Sequence, residues 1–264
     1  MAKIKAKRYY PTPALEKGLD ILELFACTSV GLTVTEVARS LNRTVSEIFR
    51  MLLCLEERGY LTQSSNSERY QLTLRLFCLG QEHPPSKRMV MTALPIMSGL
   101  AHELGQSCHL GVLDGGHIAI LVQADSPRPT GFRVKVGSVV DMMDAATGQV
   151  IFDNQTTDVS EQALEAWLRE SGKHKPSDFE EHLSTIRGRG YECRASYEIG
   201  GVINVSFPVL NVQGNAIAGL TVPYVRHIGD HTGISDAIPS LRLASRQISE
   251  AFGAVPAKKE GISF

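Results

Sequence analysis

Two Thr-x-x-Glu pairs, eleven residues apart, are the polar residues with the most informative spacing. Thr33 with Glu36 and Thr44 with Glu47 fit the capping box, in which the threonine hydroxyl and the glutamate carboxylate bind each other's backbone N–H groups. After the second pair, apolar residues recur at i, i+3, i+4 and i+7, which leaves a mixed polar face on the other side of the helix. Such a face can contact phosphates and base edges in a DNA groove. The side chains that we expect to contact double-stranded DNA are Thr35, Arg43, Thr44, Val45, Ser46, Glu47, Phe49, Arg50, Arg69 and Tyr70.

Two of these contacts have competing interpretations. Arg69 can bind a phosphate, or it can be a surface arginine paired with Glu68 or Glu56. Phe49 can contact a thymine methyl group, or it can pack on the first helix. The sequence leaves both choices open.

The capped helices belong to a compact series of elements. A first helix is predicted over residues 13–26, where Leu15, Leu19, Leu22 and Phe25 recur at helical spacing. The two capped helices follow, separated by a three-residue turn, and a glycine closes the second one. Two short strands over residues 60–63 and 69–73, joined by a polar turn, then complete a winged helix-turn-helix domain over residues 13–80.

No catalytic or metal-binding constellation accompanies this unit. Cys108 and His109 come nearest to a nucleophile with its base, but neighbours on a strand point to opposite faces. The histidines lack the paired spacing of metal ligands, and the five cysteines form no CxxC pair. No GxGxxG or GxxxxGK stretch occurs. We therefore expect neither enzymatic activity nor a metal or other cofactor.

The composition predicts a two-domain globular protein. The 264 residues are 43% hydrophobic and 21% charged, and no apolar run approaches the roughly 20 residues of a membrane span. The N-terminal residues are basic but lack the apolar segment of a secretory signal, so we expect a cytoplasmic protein without a membrane partner. Residues 1–75 carry 11 Lys and Arg against 8 Asp and Glu, a net charge of +3, and the remainder carries 16 against 20, or −4. This asymmetry favours an anionic partner for the first part, where residues 1–12 read as a flexible basic arm.

The second part of the sequence predicts an α+β domain behind a linker helix. The linker is expected over residues 81–105, with a kink or break at Pro95, and its apolar face should meet the second domain or another subunit. Hairpins are expected within 108–123 and 203–222, with a third strand at Phe132, Val134 and Val136. Hairpins flanked by helices give a mostly antiparallel sheet. The remaining predicted elements are helices at 158–170, at 177–189 with a Ser177–Glu180 capping box, and at 236–252, in a domain over 106–253 followed by a tail, 254–264.

Five stretches of the sequence, taken together, resemble the IclR family of bacterial transcription regulators. They are PALEKGLDILELFA, SEIFRMLLCLEERGYL, ERYQLTLRLFCLG, HLGVLDGGHIAIL and RGYECRASYEIGGVINVSFPVLNVQGNAIAGLTV. The resemblance covers nearly the whole chain from Pro13 to Phe252. It implies an N-terminal winged helix-turn-helix, a linker helix used in dimer contact and a GAF-like C-terminal domain that binds a small metabolite. It also implies homodimers, or tetramers built of two dimers.

In this family the ligand pocket lies between one sheet face and a loop that usually reads like LHATALGK. Residues 142–149 correspond to that loop, with Met143 at the family's histidine position and Gln149 at its lysine position. Asn204 stands where the family usually has a cysteine. A stretch similar to LSISGP is replaced by LTVPY, residues 220–224.

The residues around this pocket favour a small polar or amphipathic metabolite, such as a small carboxylic or aromatic acid. Met142 and Met143 are expected in its apolar wall, although methionines are as often core residues. Asn204 and Ser206 are as often satisfied by strand-end backbone groups. The alternative function is a metabolite-binding or catalytic module whose winged helix serves only protein interaction. The expected effector-binding residues are His109, Phe132, Met142, Met143, Asp144, Ala145, Ala146, Thr147, Gly148, Glu198, Asn204, Ser206 and Thr221.

Overall fold

The computed structural model describes residues 11–64, 67–228 and 233–254. It divides into two compact units, residues 1–84 and 85–264. The expected basic arm and C-terminal tail lie outside the described residues, except for residues 11, 12 and 254. Ser65 and Asn66, in the turn of the wing, also lie outside them.

The described part of the first unit is a winged helix-turn-helix, as predicted. The strands β1 and β2 pair antiparallel, with Leu61 opposite Leu72, and an isolated bridge joins Leu32 to Tyr70. The bridge ties the wing to the segment that precedes the second helix. The elements are α1 (Pro13–Ala26), α2 (Val34–Ser40), α3 (Val45–Glu57), β1 (Leu61–Gln63), β2 (Tyr70–Leu72) and α4 (Arg75–Glu82).

The core of this unit takes up only part of the apolar stripe that was predicted on α1, because Phe25 is buried but Leu15 and Leu19 are not. Ile21 and Phe25, four residues apart and therefore on one face, are buried against α2 and α3. Leu15 and Leu19 are 62% and 49% exposed. The helix carries two apolar stripes, and only one of them meets the core.

The second unit contains one six-stranded sheet in the order β5-β4-β3-β8-β7-β6. Every described pairing between neighbouring strands is antiparallel, as predicted. The hairpins β3–β4 and β7–β8 lie at the centre of this order. The elements are α5 (Pro84–Leu104), β3 (Cys108–Asp114), β4 (His117–Ala124), β5 (Val139–Asp141), α6 (Ala146–Asp153), α7 (Thr157–Ser171), α8 (Phe179–Arg189), β6 (Glu192–Ala195), β7 (Val202–Leu210), β8 (Ala216–Val225) and α9 (Ile234–Ala251).

Helices cover both faces of the sheet. On one face, α5 and α9 form a core with alternate strand residues such as Leu110, Val205 and Val222. On the other face, α6, α7 and α8 enclose a second core around Trp167 and Met142. The apolar face of the predicted linker helix therefore meets the sheet of the second unit. Pro95 lies inside α5 without ending it.

Three local predictions for this unit are wrong. Residues 131–138 form no strand, because the chain turns at Gly137 (φ +82°) and only Gly137 and Ser138 bond to Ile120 of β4. The Ser177–Glu180 capping box does not form, since Glu180 pairs with Lys175 at 2.5 Å. The expected pocket loop becomes helical at Ala146, the first residue of α6.

Candidate functional site

Both predicted capping boxes are present in the first unit. At α3, the Thr44 hydroxyl accepts from the Glu47 N–H at 3.4 Å, and the Glu47 carboxylate accepts from the Thr44 N–H at 3.2 Å. At α2, the corresponding distances between Thr33 and Glu36 are 3.3 and 2.8 Å. These bonds satisfy helix N–H groups that have no partner inside the helix. They fix where α3 begins, and thus which of its side chains face outward.

The outward face of α3 contains most of the predicted DNA contacts. Ile48 and Leu52 are fully buried, whereas Phe49 on the opposite side is 45% exposed, so packing on the first helix does not bury it. An exposed face on a capped helix behind a wing has the form of a DNA-reading surface. The predicted contacts that the structure places at the surface are Thr35, Arg43, Thr44, Val45, Ser46, Phe49 and Arg50.

Glu47 is held in place as a helix cap. Besides its bonds to Thr44, its carboxylate binds the Lys17 ammonium of α1 at 2.5 Å. The Lys17 bond, followed by those to Thr44, lowers the pKa of Glu47 to about 2. These partners give Glu47 a structural role in the helix cap, and its predicted contact with DNA stays a prediction.

The two wing residues predicted at DNA are also engaged within the protein. Arg69 Nη1 donates to the Gly31 carbonyl at 2.6 Å and to Glu36 at 2.9 Å, and Nη2 donates to Glu36 at 3.1 Å. Its partner is thus Glu36 of α2, and not Glu68 or Glu56. Tyr70 is 2% exposed within the core of the unit, so its side chain does not face DNA.

The second unit contains a small cavity of about 50 Å³ between α6 and the sheet. A water molecule needs roughly 10–15 Å³ of such space, so this volume matches about four waters or a short organic acid. Both the start of α6 and the segment between β6 and β7 contribute to the wall. The residues around the cavity are His109, Phe132, Val134, Val140, Ala145, Ala146, Thr147, Ser196, Tyr197, Glu198, Asn204 and Thr221.

Eight of the predicted effector-binding residues line this cavity, and five do not. Met142 and Met143 fill the core with α7 and α8, and Asp144 pairs with Lys173 at 2.9 Å. Gly148 sits against the main chain, because an added Cβ would lie 2.0 Å from the Met142 carbonyl oxygen. Ser206 is fully buried behind Thr221, whose hydroxyl donates to it at 2.8 Å.

Four residues of the cavity were not expected from the sequence. Val134 comes from the segment whose alternation predicts a strand through residue 136, and Val140 comes from β5. Ser196 and Tyr197 precede Glu198, which was predicted. Burial raises the pKa of Tyr197, as does the neighbouring Glu198, so its phenol is a hydrogen-bond donor at neutral pH. Its position next to a predicted pocket residue is the only sequence signal that could have indicated it.

The N-terminus of α6 reaches the cavity without a side-chain cap. The N-cap residue is Ala145, which has no side-chain hydrogen-bonding group, and no cap bond is present there. Ala145, Ala146 and Thr147 all line the cavity and are buried. Unsatisfied N–H groups at a helix start carry partial positive charge and bind anions such as carboxylates. This end of the cavity therefore suits an acidic group.

The turn that leads into α6 is anchored by Asp141. Its carboxylate accepts from the backbone N–H groups of Met143 (2.8 Å) and Asp144 (3.2 Å), and from the Trp167 indole (3.0 Å). Lys173 donates to the same carboxylate at 3.1 Å. Burial opposes the charged form of Asp141, but the bonds from Trp167, Lys173 and the two backbone N–H groups leave its pKa lowered. The start of α6 is thereby fixed.

Polar residues form the sheet side of the cavity. Thr221 lies opposite His109 on β3 and opposite Ser206 on β7, so the three side chains share one face of the sheet. Thr147 reaches down from α6, with its hydroxyl 2.7 Å from Thr221 Oγ1 and 3.4 Å from His109 Nε2. Burial lowers the pKa of His109 to about 4. The imidazole is therefore neutral at pH 7.

Across the described ranges, no three His, Cys, Asp or Glu side chains come together as metal ligands. No helix in the described part of the chain has the length and apolar character needed to cross a bilayer.

Two family models match this sequence. The model described as bacterial transcriptional regulator IclR C-terminal matches residues 86–250, and that described as IclR helix-turn-helix domain matches residues 14–65. The relative HTH-type transcriptional regulator BhcR of Paracoccus denitrificans is 28% identical over 255 residues, which cover 94% of this chain and 89% of the relative. HTH-type transcriptional regulator KdgR of Escherichia coli is 25% identical, covering 83% of this chain and 85% of the relative.

Solved structures share the two-domain fold. The IclR structure from Thermotoga maritima has a TM-score of 0.69 at 22% identity and covers 90% of this chain and 98% of its own. An IclR homolog from Microbacterium hydrocarbonoxydans complexed with 4-hydroxybenzoate has a TM-score of 0.74 at 18% identity, with the same coverage. The structural likeness establishes the fold, and the family models establish the relationship. The chain belongs to the IclR family of bacterial transcription regulators, with an N-terminal helix-turn-helix DNA-binding domain and a C-terminal effector-binding domain.

Proposed function

We propose that this regulator binds its operator as a homodimer, or as a dimer of dimers, and that a small carboxylic acid in the α6 cavity controls this binding. The observation that carries the proposal is the uncapped N-terminus of α6, which meets a partly enclosed cavity of short-acid size. An acid bound there would place its carboxylate on the free N–H groups of the first turn of α6. The same role requires no enzymatic step and suits a cytoplasmic protein.

The size of the cavity favours an aliphatic acid of two to four carbons. At about 50 Å³, it falls below the usual range of ligand pockets, roughly 300–1,000 Å³. The solved homolog with 4-hydroxybenzoate makes an aromatic acid the natural competitor. An aromatic acid would require Phe132 or the Tyr197 segment to move outward.

We assign the DNA contact to the exposed face of α3 and its turn, with Ser46, Phe49 and Arg50 nearest the bases. These side chains extend from a helix that both Thr44 and Lys17 hold in position through Glu47. Arg50 is the exposed cation within this face and can bind a guanine edge or a phosphate.

Exposed apolar residues of the first unit support self-association. On α1, Leu15 and Leu19 are exposed, and Phe77 on α4 is 63% exposed. Leu74, just before α4, is 76% exposed. Large apolar side chains that stay exposed on a small unit are available to a surface that another chain covers. A second copy brings a second α3, as a symmetric operator requires.

The test is fluorescence anisotropy with DNA fragments from upstream of the protein's own gene and its neighbours. For a fragment that binds, Arg50→Ala should weaken affinity about tenfold and reduce the slope of log K against log salt by about 1. The matched control is Arg169→Ala, an exposed arginine of α7 in the second unit, which should leave both quantities unchanged. Mass photometry of the same complexes should give two or four protomers per fragment.

Short aliphatic acids, with 4-hydroxybenzoate as the aromatic arm, are then titrated into the preformed complex. A shift in DNA affinity with a short acid supports the effector class, and a shift with 4-hydroxybenzoate alone supports the aromatic competitor. If wild type shows no salt-dependent DNA binding, the alternative becomes favoured, in which the winged helix serves only protein interaction.

A further inference from the structure

The direction of hydrogen bonding along the polar floor of the cavity can be worked out from its hydroxyl groups. Thr221 donates its hydroxyl proton to Ser206 Oγ at 2.8 Å. A hydroxyl has one proton, so Thr221 must act as the acceptor in its 2.7 Å contact with Thr147. Thr147 is then the donor in that contact, and its own proton is used.

This order fixes the tautomer of His109. Thr147 Oγ1 lies 3.4 Å from His109 Nε2, and with its proton committed to Thr221 it can only accept there. Nε2 therefore carries the ring proton. Because the imidazole is neutral, its other nitrogen, Nδ1, has a free lone pair and acts as an acceptor.

Nδ1 of His109 is enclosed and lacks a partner. The side chain is 94% buried, since 6% of its surface is exposed, and Nδ1 has no hydrogen bond within the described part of the chain. A buried acceptor without a donor is unfavourable. His109 lines the cavity, and a bound molecule that reaches Nδ1 would supply the missing donor.

We infer that His109 reads a hydroxyl or amine donor on the effector, which makes the effector a small hydroxy acid or amino acid rather than the corresponding oxo acid. The inference rests on the proposed binding of an acid at α6. Thr147 belongs to the first turn of α6, so its contact with His109 places the imidazole beside the expected carboxylate site.

The chemistry of a second residue of the cavity agrees with this selection. Glu198 also lines the cavity, and carboxylate oxygens accept hydrogen bonds. An oxo group brings only lone pairs, which would face the lone pair of Nδ1. A hydroxyl group of similar size brings a proton, and sites built around one donor reject an isostere that lacks it.

The binding test compares three-carbon acids on the full-length protein by isothermal titration calorimetry. The probes are the two lactate enantiomers, pyruvate and propionate. At least one lactate enantiomer should bind about tenfold more tightly than pyruvate, the factor expected when a buried acceptor loses its donor. Propionate, which carries neither group, should also bind more weakly than that lactate.

Thr147 is a positioning residue, because its hydroxyl group sets the tautomer of His109. Two variants distinguish the effect of this hydroxyl group from the effect of side-chain size. Thr147→Val removes the acceptor that holds the proton on Nε2, so the ratio of lactate to pyruvate affinity should fall below about threefold. Thr147→Ser keeps the hydroxyl and should retain the wild-type ratio. A loss of selectivity in both variants would indicate a packing effect and would overturn the role given to the hydroxyl.

The tautomer itself is measured by nitrogen-15 NMR of histidine-labelled protein without any acid. Wild type and Thr147→Ser should show His109 with Nε2 protonated and Nδ1 unprotonated, and Thr147→Val should lose that preference. An Nδ1-protonated ring in wild type would overturn the inference. Equal affinities for lactate and pyruvate would also overturn the inference. In that case the binding of both acids would still support the proposed acid site. If no acid binds at all, the effector class fails and the inference fails with it.

Discussion

The helices α3 and α6 begin in opposite ways. The start of α3 lies at the surface of the first unit, where Thr44 and Glu47 complete its hydrogen bonds. The start of α6 is buried in the second unit behind Ala145, whose methyl group cannot cap. The N-terminus of a helix carries a partial charge of roughly +0.5. In α3 an internal carboxylate offsets that charge, whereas in α6 no side-chain cap offsets it.

The contrast shows how two helix starts in one chain acquire different tasks. Because α3 already has its anion, its main-chain end has little attraction for a phosphate, and DNA contact depends on outward side chains such as Arg50. Because α6 has none, its main chain can recognise a carboxylate without any lysine or arginine in the cavity. A capped helix start thus leaves recognition to side chains, whereas an uncapped start leaves backbone N–H groups available for recognition.

The largest expected effect concerns protonation beside α6. Burial holds the pKa of His109 at about 4, below the value of about 6.5 in an unfolded chain. Between these values the unfolded state binds a proton that the folded state does not, so stability is full above pH 6.5 and falls as the pH drops towards 4. Relative to His109→Gln, which cannot titrate, wild type should lose up to about 3 kcal/mol of unfolding free energy between pH 7 and pH 4.

Urea unfolding followed by tryptophan fluorescence measures this loss in the second unit alone. The sequence contains one tryptophan, Trp167, which is 2% exposed in the core around α6 and α7. Parallel pH curves for wild type and His109→Gln would show that the histidine is not held neutral by burial.

The next effect makes α6 resemble α3. In Ala145→Asp, a carboxylate at the N-cap should accept from first-turn N–H groups and occupy the position that an acid would take. Affinity for short acids, measured by calorimetry, should fall at least about tenfold, while the Trp167 signal of the folded state stays unchanged. Ala145→Asn has the same shape without the charge and should lose less affinity. Equal binding by wild type and the aspartate variant would contradict the assignment of the carboxylate to this helix end.

The smallest effect makes α3 resemble α6. Thr44→Ala removes the hydroxyl that accepts from the Glu47 N–H, which should cost about 1 kcal/mol. Hydrogen exchange of amides in the first turn of α3, followed by mass spectrometry, should become about fivefold faster. Thr35→Ala is a matched control, because Thr35 is exposed inside α2 and holds no cap. If hydrogen exchange in the first turn of α3 accelerates equally in both variants, the Thr44 cap does not specifically stabilise that turn.

The comparison also explains which features could be read from the sequence. The capping boxes depend on residues three apart, so Thr33, Glu36, Thr44 and Glu47 indicate them directly. The start of α6 gives no such signal, because Ala146 through Ile151 are all buried and no alternation of polar and apolar faces marks the helix. Its recognition as a pocket segment came from the family resemblance, which aligns the residues but not their conformation.

The residues whose positions differ from the sequence prediction do so for one physical reason. Tyr70 is buried because a bridge pairs it with Leu32, and Arg69 turns inward because Glu36 lies within reach. Val134 faces the cavity from a segment that alternates like a strand but lacks strand pairing. Each position is set by contacts between residues distant in sequence, which local periodicity does not record.

The close packing of Gly148 against the main chain limits how this regulator can change its ligand during evolution. With no space for a Cβ beside the Met142 carbonyl, and with Asp141 holding the preceding turn, the α6 side of the cavity tolerates little alteration. The facing segment is different: Tyr197 is 44% exposed, and Gly201 after it has a φ of +82°. Substitutions there can enlarge or reshape the cavity without disturbing α6. If the proposed acid site is correct, ligand size can therefore diverge among descendants of this chain while the recognition of a carboxylate by α6 is kept.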